Sequence, residues 1–297
     1  MNASDVRPMR IDAHQHYWQI DARSGCWPPR ELEAIHRDFG PQDLEPQLVA
    51  ARIDGTVLVQ SLPTEADTHY LLGIAEQTPT VCAVVGWLDL KAADAAQKVA
   101  AFVAHPKARG LRPMLQDLAD DAWIDDRALE RAVTAMIEHD LRFDALVLPR
   151  HLGALHAFAR RYPDLRIVID HGAKPPIARG EVEPWLSLMS SLARLSNVHC
   201  KLSGLWTEAG EATGDETIGA RVRPYVRVLA DLFGAQRLMW GSDWPVLRLA
   251  SGPGGYGEWL AACEDDCARL LGSEALPAVF GGNACKFYRV GGIVRHA

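Results

Sequence analysis

The sequence predicts a (β/α)₈ barrel, in which eight parallel strands form an inner cylinder surrounded by the helices that connect them. Short apolar runs alternate along the chain with longer stretches whose apolar residues recur at three- and four-residue spacing. The length of 297 residues is also typical of one such barrel. We therefore expect a single domain over residues 1–297.

The predicted strands are mostly continuous apolar runs, as expected for parallel strands buried on both faces. They lie at 9–14, 55–61, 81–90, 108–114, 141–148, 165–172, 198–204 and 237–244. Helical stretches between them supply the crossovers that parallel strands require, among them 92–105, 126–140, 152–163 and 223–234. An open doubly wound sheet is the structural alternative, but no glycine-rich phosphate loop follows the first predicted strand.

The overall charge argues against polyanionic partners. With 31 basic residues and a net charge of −7, the chain has no broad cationic surface for nucleic acid or an anionic membrane. No apolar run approaches the roughly 20 residues that cross a bilayer, and the amino terminus MNASDVRPMR lacks the apolar core of a signal peptide. We expect a cytoplasmic protein that binds a small molecule, while the oligomeric state is not predicted.

Two histidines close the first predicted strand. In the segment from Asp12 to His16, the two-residue period of a strand directs His14 and His16 to the same side, toward the barrel mouth. Two neutral imidazoles could bind one cation. Histidines at strand ends also serve as ordinary hydrogen-bonding groups, so this motif alone leaves both roles open.

Polar residues also end the sixth and eighth predicted strands. The apolar run RIVI leads into Asp170, His171 and, shortly after, Lys174, and the last strand ends in Ser242 and Asp243. The carboxyl ends of barrel strands form the catalytic face, which favours a function for His171 and makes Asp243 the candidate general base. Helix capping and turn formation are the structural alternatives. Three strand ends carrying His-x-His, His and Asp in barrel order favour one shared site.

The chain resembles the amidohydrolase superfamily, and within it the amidohydrolase-2 branch of sugar-lactone hydrolases, of the L-fuconolactonase and L-rhamnonolactonase type. The segments that carry the resemblance are IDAHQHYW, GLRPMLQD, VIDHGAKP, CKLSGL and LMWGSDWP. They are similar to the strand-end motifs of that branch in order and separation, and together they span nearly the whole chain. The resemblance implies a barrel enzyme that hydrolyses a ring ester.

The resemblance also implies what the clustered residues do. Asp243 would act as the general base, while the histidines either stabilise the oxyanion or, with Asp243, hold one divalent metal ion; the histidines concerned are His14, His16 and His171. Zinc accepts such nitrogen and oxygen ligands, but some relatives work without metal, so both alternatives stay open. A two-metal site is not expected, because Arg112 stands where two-metal members carry a bridging ligand.

The hypothesised reaction is attack of water on a lactone carbonyl, with L-fucono-lactone or a similar aldonolactone as substrate. Polar contacts to the carbonyl and hydroxyl groups, and an indole face against the sugar ring, are predicted for Arg112, Lys174, Gln60 and Trp18. A structural salt bridge for Arg112, a solvated charge for Lys174 and core packing for the tryptophan are the alternatives.

Two other functions fit the same residues. Barrels of this branch with similar histidines also include zinc-dependent decarboxylases of small carboxylic acids. A non-catalytic barrel that binds a sugar acid is a further alternative, although binding alone does not need a carboxylate beside imidazoles. Product analysis separates the three functions, because hydrolysis releases acid without carbon dioxide.

Overall fold

The computed structural model describes residues 7–21, 27–211, 217–250 and 255–290. Within them, eight strands form one parallel sheet in chain order, which confirms the predicted barrel. Each predicted run overlaps one strand, and the strands are β1 (Ile11–Gln15), β2 (Gly55–Val59), β3 (Val81–Gly86), β4 (Ala108–Leu111), β5 (Arg142–Ala145), β6 (Arg166–Ile169), β7 (Val198–Leu202) and β8 (Leu238–Trp240).

A helix follows each strand, so strand and helix alternate as the sequence pattern predicts. The helices are α1 (Pro41–Ala51), α2 (Glu65–Gln77), α3 (Ala95–Val103), α4 (Glu130–Glu138), α5 (Leu152–Arg161), α6 (Trp185–Ala193), α7 (Ile218–Arg237), α8 (Tyr256–Leu271) and a short final α9 (Asn283–Tyr288). The four predicted helical stretches overlap α3, α4, α5 and α7. None of the described helices has the length and apolar character needed to cross a bilayer.

The barrel interior is apolar at the amino-terminal end of the strands. Side chains of β1, β2, β3, β6 and β8 pack there against Phe287 and Tyr288 of α9. Arg142, at the start of β5, donates a hydrogen bond from Nε to the backbone oxygen of Phe287, which holds α9 against this end. A larger apolar cluster fills the space between the strands and the outer helices. The opposite end of the interior is left for polar side chains.

The seam between β1 and β8 closes the barrel. The backbone N–H of Asp243 donates to the oxygen of His14 at 2.8 Å, and that of His16 donates to the oxygen of Trp244 at 2.8 Å. Asp12 reinforces the seam, since its carboxylate accepts from the backbone N–H groups of both His14 and Ser242, at 3.1 and 2.9 Å. The closing bonds therefore lie at the strand ends that carry the candidate site residues.

Gly241 allows β8 to approach β1 this closely. A Cβ atom on this residue would lie 2.7 Å from the Cβ and 3.0 Å from the backbone nitrogen of His14. We expect Gly241→Ala to lower the free energy of unfolding by about 1–3 kcal/mol, as overpacking in a buried site does. Urea denaturation followed by circular dichroism measures the change.

The matched control is Gly153→Ala in α5, where an added Cβ meets nothing within 4 Å. This variant should be at least as stable as the parent chain, because alanine restricts the unfolded chain and suits a helix. Equal stability of the two variants would contradict the importance of close packing at the seam.

Candidate active site

Four of the predicted site residues converge at the carboxyl end of the barrel. Asp243 Oδ1 lies 3.3 Å from His16 Nε2, 3.7 Å from His14 Nε2 and 3.8 Å from His171 Nε2. All four side chains are buried. Two strand ends that are far apart in the sequence thus present three imidazoles to the carboxylate at a third strand end.

Left-handed backbone aims two of these side chains. Every residue from His171 to Lys174 has a positive φ, between 50° and 62°, and Asp243 has a φ of 58°. The predicted strands 165–172 and 237–244 are therefore too long, since β6 ends at Ile169 and β8 at Trp240. Positive φ is unfavourable for residues other than glycine and concentrates at functional sites, where surrounding structure maintains it. Here it turns His171 and Asp243 toward the shared centre.

Hydrogen bonds orient two of the imidazoles. His16 Nδ1 donates to the backbone oxygen of Val59 at 2.7 Å, which leaves its Nε2 as the acceptor that faces Asp243. His171 Nδ1 lies 3.0 Å from Ser203 Oγ. Burial is the main cause that lowers the pKa of His171, to about 4, so this imidazole is neutral at physiological pH.

A layer of buried charges lies beneath the cluster. Lys201 Nζ is 2.6 Å from Asp144 Oδ2 and 3.0 Å from Asp170 Oδ1, and all three side chains are fully buried. Burial disfavours ionisation of Asp170, but Lys201, His14 and Arg112 together hold its pKa well below the usual value. Burial also opposes the charge on Asp243, whose pKa is nevertheless lowered by the neighbouring imidazoles. Both carboxylates are therefore ionised.

Arg112 joins this charged layer to the surface of the cavity. Its Nη1 lies 3.2 Å from Asp170 Oδ2, and its Nη2 donates to the backbone oxygen of Gln60. The Gln60 side chain donates back to the oxygen of Arg112 at 2.8 Å. Gln60 is fully buried and is absent from the cavity lining, so its predicted substrate contact is replaced by a role in holding Arg112.

A cavity of about 360 Å³ opens above the cluster. His16, His171 and Asp243 form part of its wall, whereas His14 lies underneath. The other lining residues are Trp27, Ser61, Leu62, Pro63, Arg112, Met114, Gln116, Asp117, Leu146, Lys174 and Val246. The volume is typical of a pocket for a small molecule.

Of two residues predicted to contact the substrate, Lys174 lines the cavity and Trp18 does not. Lys174 lines the cavity, and its Nζ lies 3.6 Å from Glu208 Oε1. Trp18 does not line it, because the indole is fully buried against Phe39 and donates to the backbone oxygen of Arg37 at 2.8 Å. Trp18 therefore packs the fold, and Trp27 is the tryptophan that reaches the cavity.

Sequence reasoning missed most of the charged layer. Asp144 and Lys201 lie within short buried strands, so each is a charged residue in a run that is otherwise buried. A charged residue within an otherwise buried strand is the feature of the sequence that could have predicted this layer, since charges inside a barrel must be paired. The sequence gives no sign of the role of Asp12, whose carboxylate accepts three hydrogen bonds, from His14, Ser242 and Tyr256. Burial raises the Asp12 pKa to about 6.

The donor set fits a divalent metal ion. Ligand atoms of His14, His16 and Asp243 all lie within 4.8 Å of one another. His16 Nε2 and Asp243 Oδ1 are both acceptors, yet they face each other at 3.3 Å, an arrangement that requires a proton or a cation between them. Imidazole and carboxylate are ligands that zinc accepts. A metal centre at this cluster is therefore compatible with the geometry.

Comparison with known proteins finds relatives over almost the whole chain. A model of the Amidohydrolase family (Amidohydro_2) matches residues 11–290. The chain is 63% identical over 281 residues to an L-fucono-1,5-lactonase of Burkholderia ambifaria, covering 95% of this chain and 96% of that protein. It is 35% identical to an L-fucono-1,5-lactonase of Burkholderia multivorans, covering 94% and 96%.

A solved structure has the same fold. The crystal structure of an amidohydrolase from Burkholderia multivorans with bound zinc is similar with a TM-score of 0.88 and 35% sequence identity. The similarity covers 95% of this chain and 100% of that chain.

Loss of the Arg112 guanidinium should destabilise the charged layer. Arg112→Met leaves Asp170 with one cation fewer in a buried environment, and removing one partner of a buried pair costs about 3 kcal/mol or more. We expect a corresponding fall in the free energy of unfolding, measured by urea denaturation. The exposed Arg127→Met is the control and should change it by less than about 0.5 kcal/mol. Equal stability of both variants would show that Asp170 does not depend on Arg112.

Proposed function

The chain belongs to the amidohydrolase family, and from this we propose that it is a lactonase that hydrolyses L-fucono-1,5-lactone or a similar sugar lactone to the sugar acid. The enzyme class is that of carboxylic ester hydrolases. The identity shared with two lactonases over nearly the whole chain supports the reaction type.

The observation that carries the proposal is the position of Asp243. Its carboxylate forms part of the cavity wall, beside His16 and His171 and near a fixed guanidinium, that of Arg112. An ionised carboxylate there can accept a proton from water, and the adjacent N–H groups can stabilise negative charge on a substrate oxygen. Hydrolysis of an uncharged ester needs both of these.

The reaction begins when Asp243 takes a proton from water and the water oxygen bonds to the lactone carbonyl carbon. The carbonyl oxygen gains negative charge, and Arg112 is the proposed hydrogen-bond donor that stabilises it. The bond between the carbonyl carbon and the ring oxygen then breaks. The proton held by Asp243 passes to the ring oxygen, which leaves as a hydroxyl group, and the new carboxylic acid loses its own proton to solvent.

Lys174 is the proposed contact for the departing hydroxyl or for another hydroxyl of the sugar. Its ammonium is at the cavity wall, and the pair with Glu208 restricts its position. Burial raises the pKa of Glu208, with Lys174 acting in the opposite direction. Lys174 thus offers hydrogen-bond donors to a polyol.

If the protein binds a metal ion, the proposed ion is zinc. It would act as a Lewis acid on the lactone carbonyl, and its proposed ligands come from the cluster of His14, His16, His171 and Asp243. Metal-free hydrolysis by the same residues is the second alternative, because a ring ester reacts more readily than an amide.

Asp243→Asn tests the proposed base. We expect kcat for L-fucono-1,5-lactone to fall about 100-fold or more, since an amide cannot accept the proton. Acid release is followed with a pH indicator, after subtraction of the spontaneous hydrolysis of the lactone. Asp94→Asn, on an exposed residue before α3, is the matched control and should keep the parental rate.

Three results would contradict the proposal in different ways. Near-parental turnover by Asp243→Asn would refute the role of the base. Release of carbon dioxide from a carboxylic acid, without lactone turnover, would indicate a decarboxylase. Binding without turnover across a panel of 1,4- and 1,5-lactones would indicate a binding protein.

Metal analysis provides a further prediction. We expect at most one zinc ion per chain after chelation and reloading, because a second grouping of possible ligands, His14, Asp170 and His171, already faces the Lys201 ammonium. Elemental analysis measures the content, and His16→Gln is the control that should lose zinc. Two ions per chain would contradict the prediction, and acid release by the chelated protein tells whether catalysis needs the ion.

A further inference from the structure

Lys201 lies directly beneath His14 in the barrel interior. Its Nζ is 3.1 Å from His14 Nδ1, and both side chains are fully buried. We propose that, in the metal-free protein, Lys201 is a positioning residue that holds His14 in the tautomer with its proton on Nε2, so that His14 donates a hydrogen bond at the base of the cavity. The consequence for turnover rests on the proposed lactonase function, whereas the tautomer itself does not.

His14 Nδ1 acts as a hydrogen-bond acceptor toward Lys201. An ammonium group carries three donors and no acceptor, so a nitrogen that meets it at hydrogen-bond distance must present a lone pair. A proton on Nδ1 would point at the ammonium. Because a neutral imidazole carries a single N–H, an accepting Nδ1 places that N–H on Nε2.

Two acceptors lie near His14 Nε2. The Nε2 atom of His16 lies 3.2 Å away and is an acceptor, because Nδ1 of the same ring donates to Val59. Asp243 Oδ1 lies 3.7 Å away and is also an acceptor. A proton on His14 Nε2 therefore lies beside the two acceptors that otherwise face each other without a donor. In the metal-free protein, this N–H supplies the positive end that a cation would supply.

The opposite tautomer would use longer contacts. With its proton on Nδ1, His14 could donate to Asp170 Oδ1 at 3.4 Å and accept from Arg112 Nη1 at 3.4 Å. Asp170 is already 3.0 Å from Lys201, and Arg112 is closer to Asp170, at 3.2 Å, than to His14. The proposed tautomer satisfies the two shortest contacts of His14, whereas the opposite one sets two lone pairs 3.2 Å apart and two donors 3.1 Å apart.

The carboxylates of Asp144 and Asp170 explain why an ammonium stays at this depth. Lys201 Nζ is 2.6 Å from Asp144 Oδ2, which also accepts from Tyr288 Oη at 2.6 Å. Asp170 holds the ammonium from the other side. Two carboxylates therefore fix the position of Lys201 Nζ before any ligand enters, and the tautomer of His14 must suit the donors on that nitrogen.

Nuclear magnetic resonance measures the tautomer of His14 directly. The chain is labelled with ¹⁵N-histidine and freed of metal by chelation, and two-bond ¹H–¹⁵N correlation spectra distinguish Nδ1–H from Nε2–H rings. His14→Gln identifies the signals of His14. We expect the parent protein to show the Nε2–H pattern for this residue.

The test variant removes the ammonium without leaving an unbalanced carboxylate. Lys201→Met alone strands two buried carboxylates and could prevent folding, so it is combined with Asp144→Asn. Asp144→Asn alone is the matched reference for the double variant, because it removes the same carboxylate while Asp170 still holds the ammonium beside His14. We expect the double variant to lose the Nε2–H pattern or to show a mixture, and the reference variant to retain the parental pattern.

Kinetics provide the second readout. The kcat of the double variant for the lactone should fall about 10-fold or more, with KM nearly unchanged. His14 lies below the cavity wall, so its N–H acts on the reacting groups and not on the bound sugar. The reference for this loss is Asp144→Asn alone, whose kcat should exceed that of the double variant by about the same factor. A purely structural role for Lys201 would lower stability without moving the tautomer.

Two results would overturn the proposal. One is an Nδ1–H pattern for His14 in the parent protein. The other is an unchanged Nε2–H pattern in the double variant, whatever its kcat. If the parent protein hydrolyses no lactone, the proposed function fails while the spectra still decide the role of Lys201.

Discussion

The hydrogen-bonded seam between β1 and β8 is the constraint on which the site depends. Asp243 donates its backbone N–H to His14, and His16 donates to Trp244, so the residues that close the barrel are those that face one another in the cluster. Asp12 ties both strand ends with one carboxylate. The bonds that close the sheet therefore also assemble this part of the site, and they place the reactive groups at or just beyond the ends of rigid strands instead of on long loops.

Beneath the seam, the pairing of buried charges determines which groups can take part in the reaction. Asp144 and Asp170 are paired with the cations of Lys201 and Arg112 inside a barrel whose other end is filled by apolar side chains. Buried ions need such partners, and the partners also fix geometry. Asp170 orients the guanidinium at the cavity wall, and Lys201 fixes His14 below it. The layer thus connects the core of the barrel to the proposed oxyanion donor and base.

The sequence predicted the barrel because its periodicity is strong, and each of the eight strands overlaps its predicted run. It also singled out the four residues that converge, since strand ends share one rim. The pairing of Lys201 with Asp144 and Asp170 was missed, because contacts between β5, β6 and β7 side chains depend on which face of each strand points inward. Trp18 and Gln60 were misplaced for a related reason: residue type suggests a contact, whereas loop geometry decides whether the side chain packs inward or lines the cavity.

The most direct test of the account is hydrolysis of the lactone in water enriched in ¹⁸O, with mass spectrometry of the released sugar acid. Attack of water on the carbonyl carbon predicts one ¹⁸O in the carboxylate and none in the hydroxyl formed from the ring oxygen, at a rate well above spontaneous hydrolysis. Label in that hydroxyl, or a rate equal to the background, would contradict a site in which Asp243 directs water to the carbonyl.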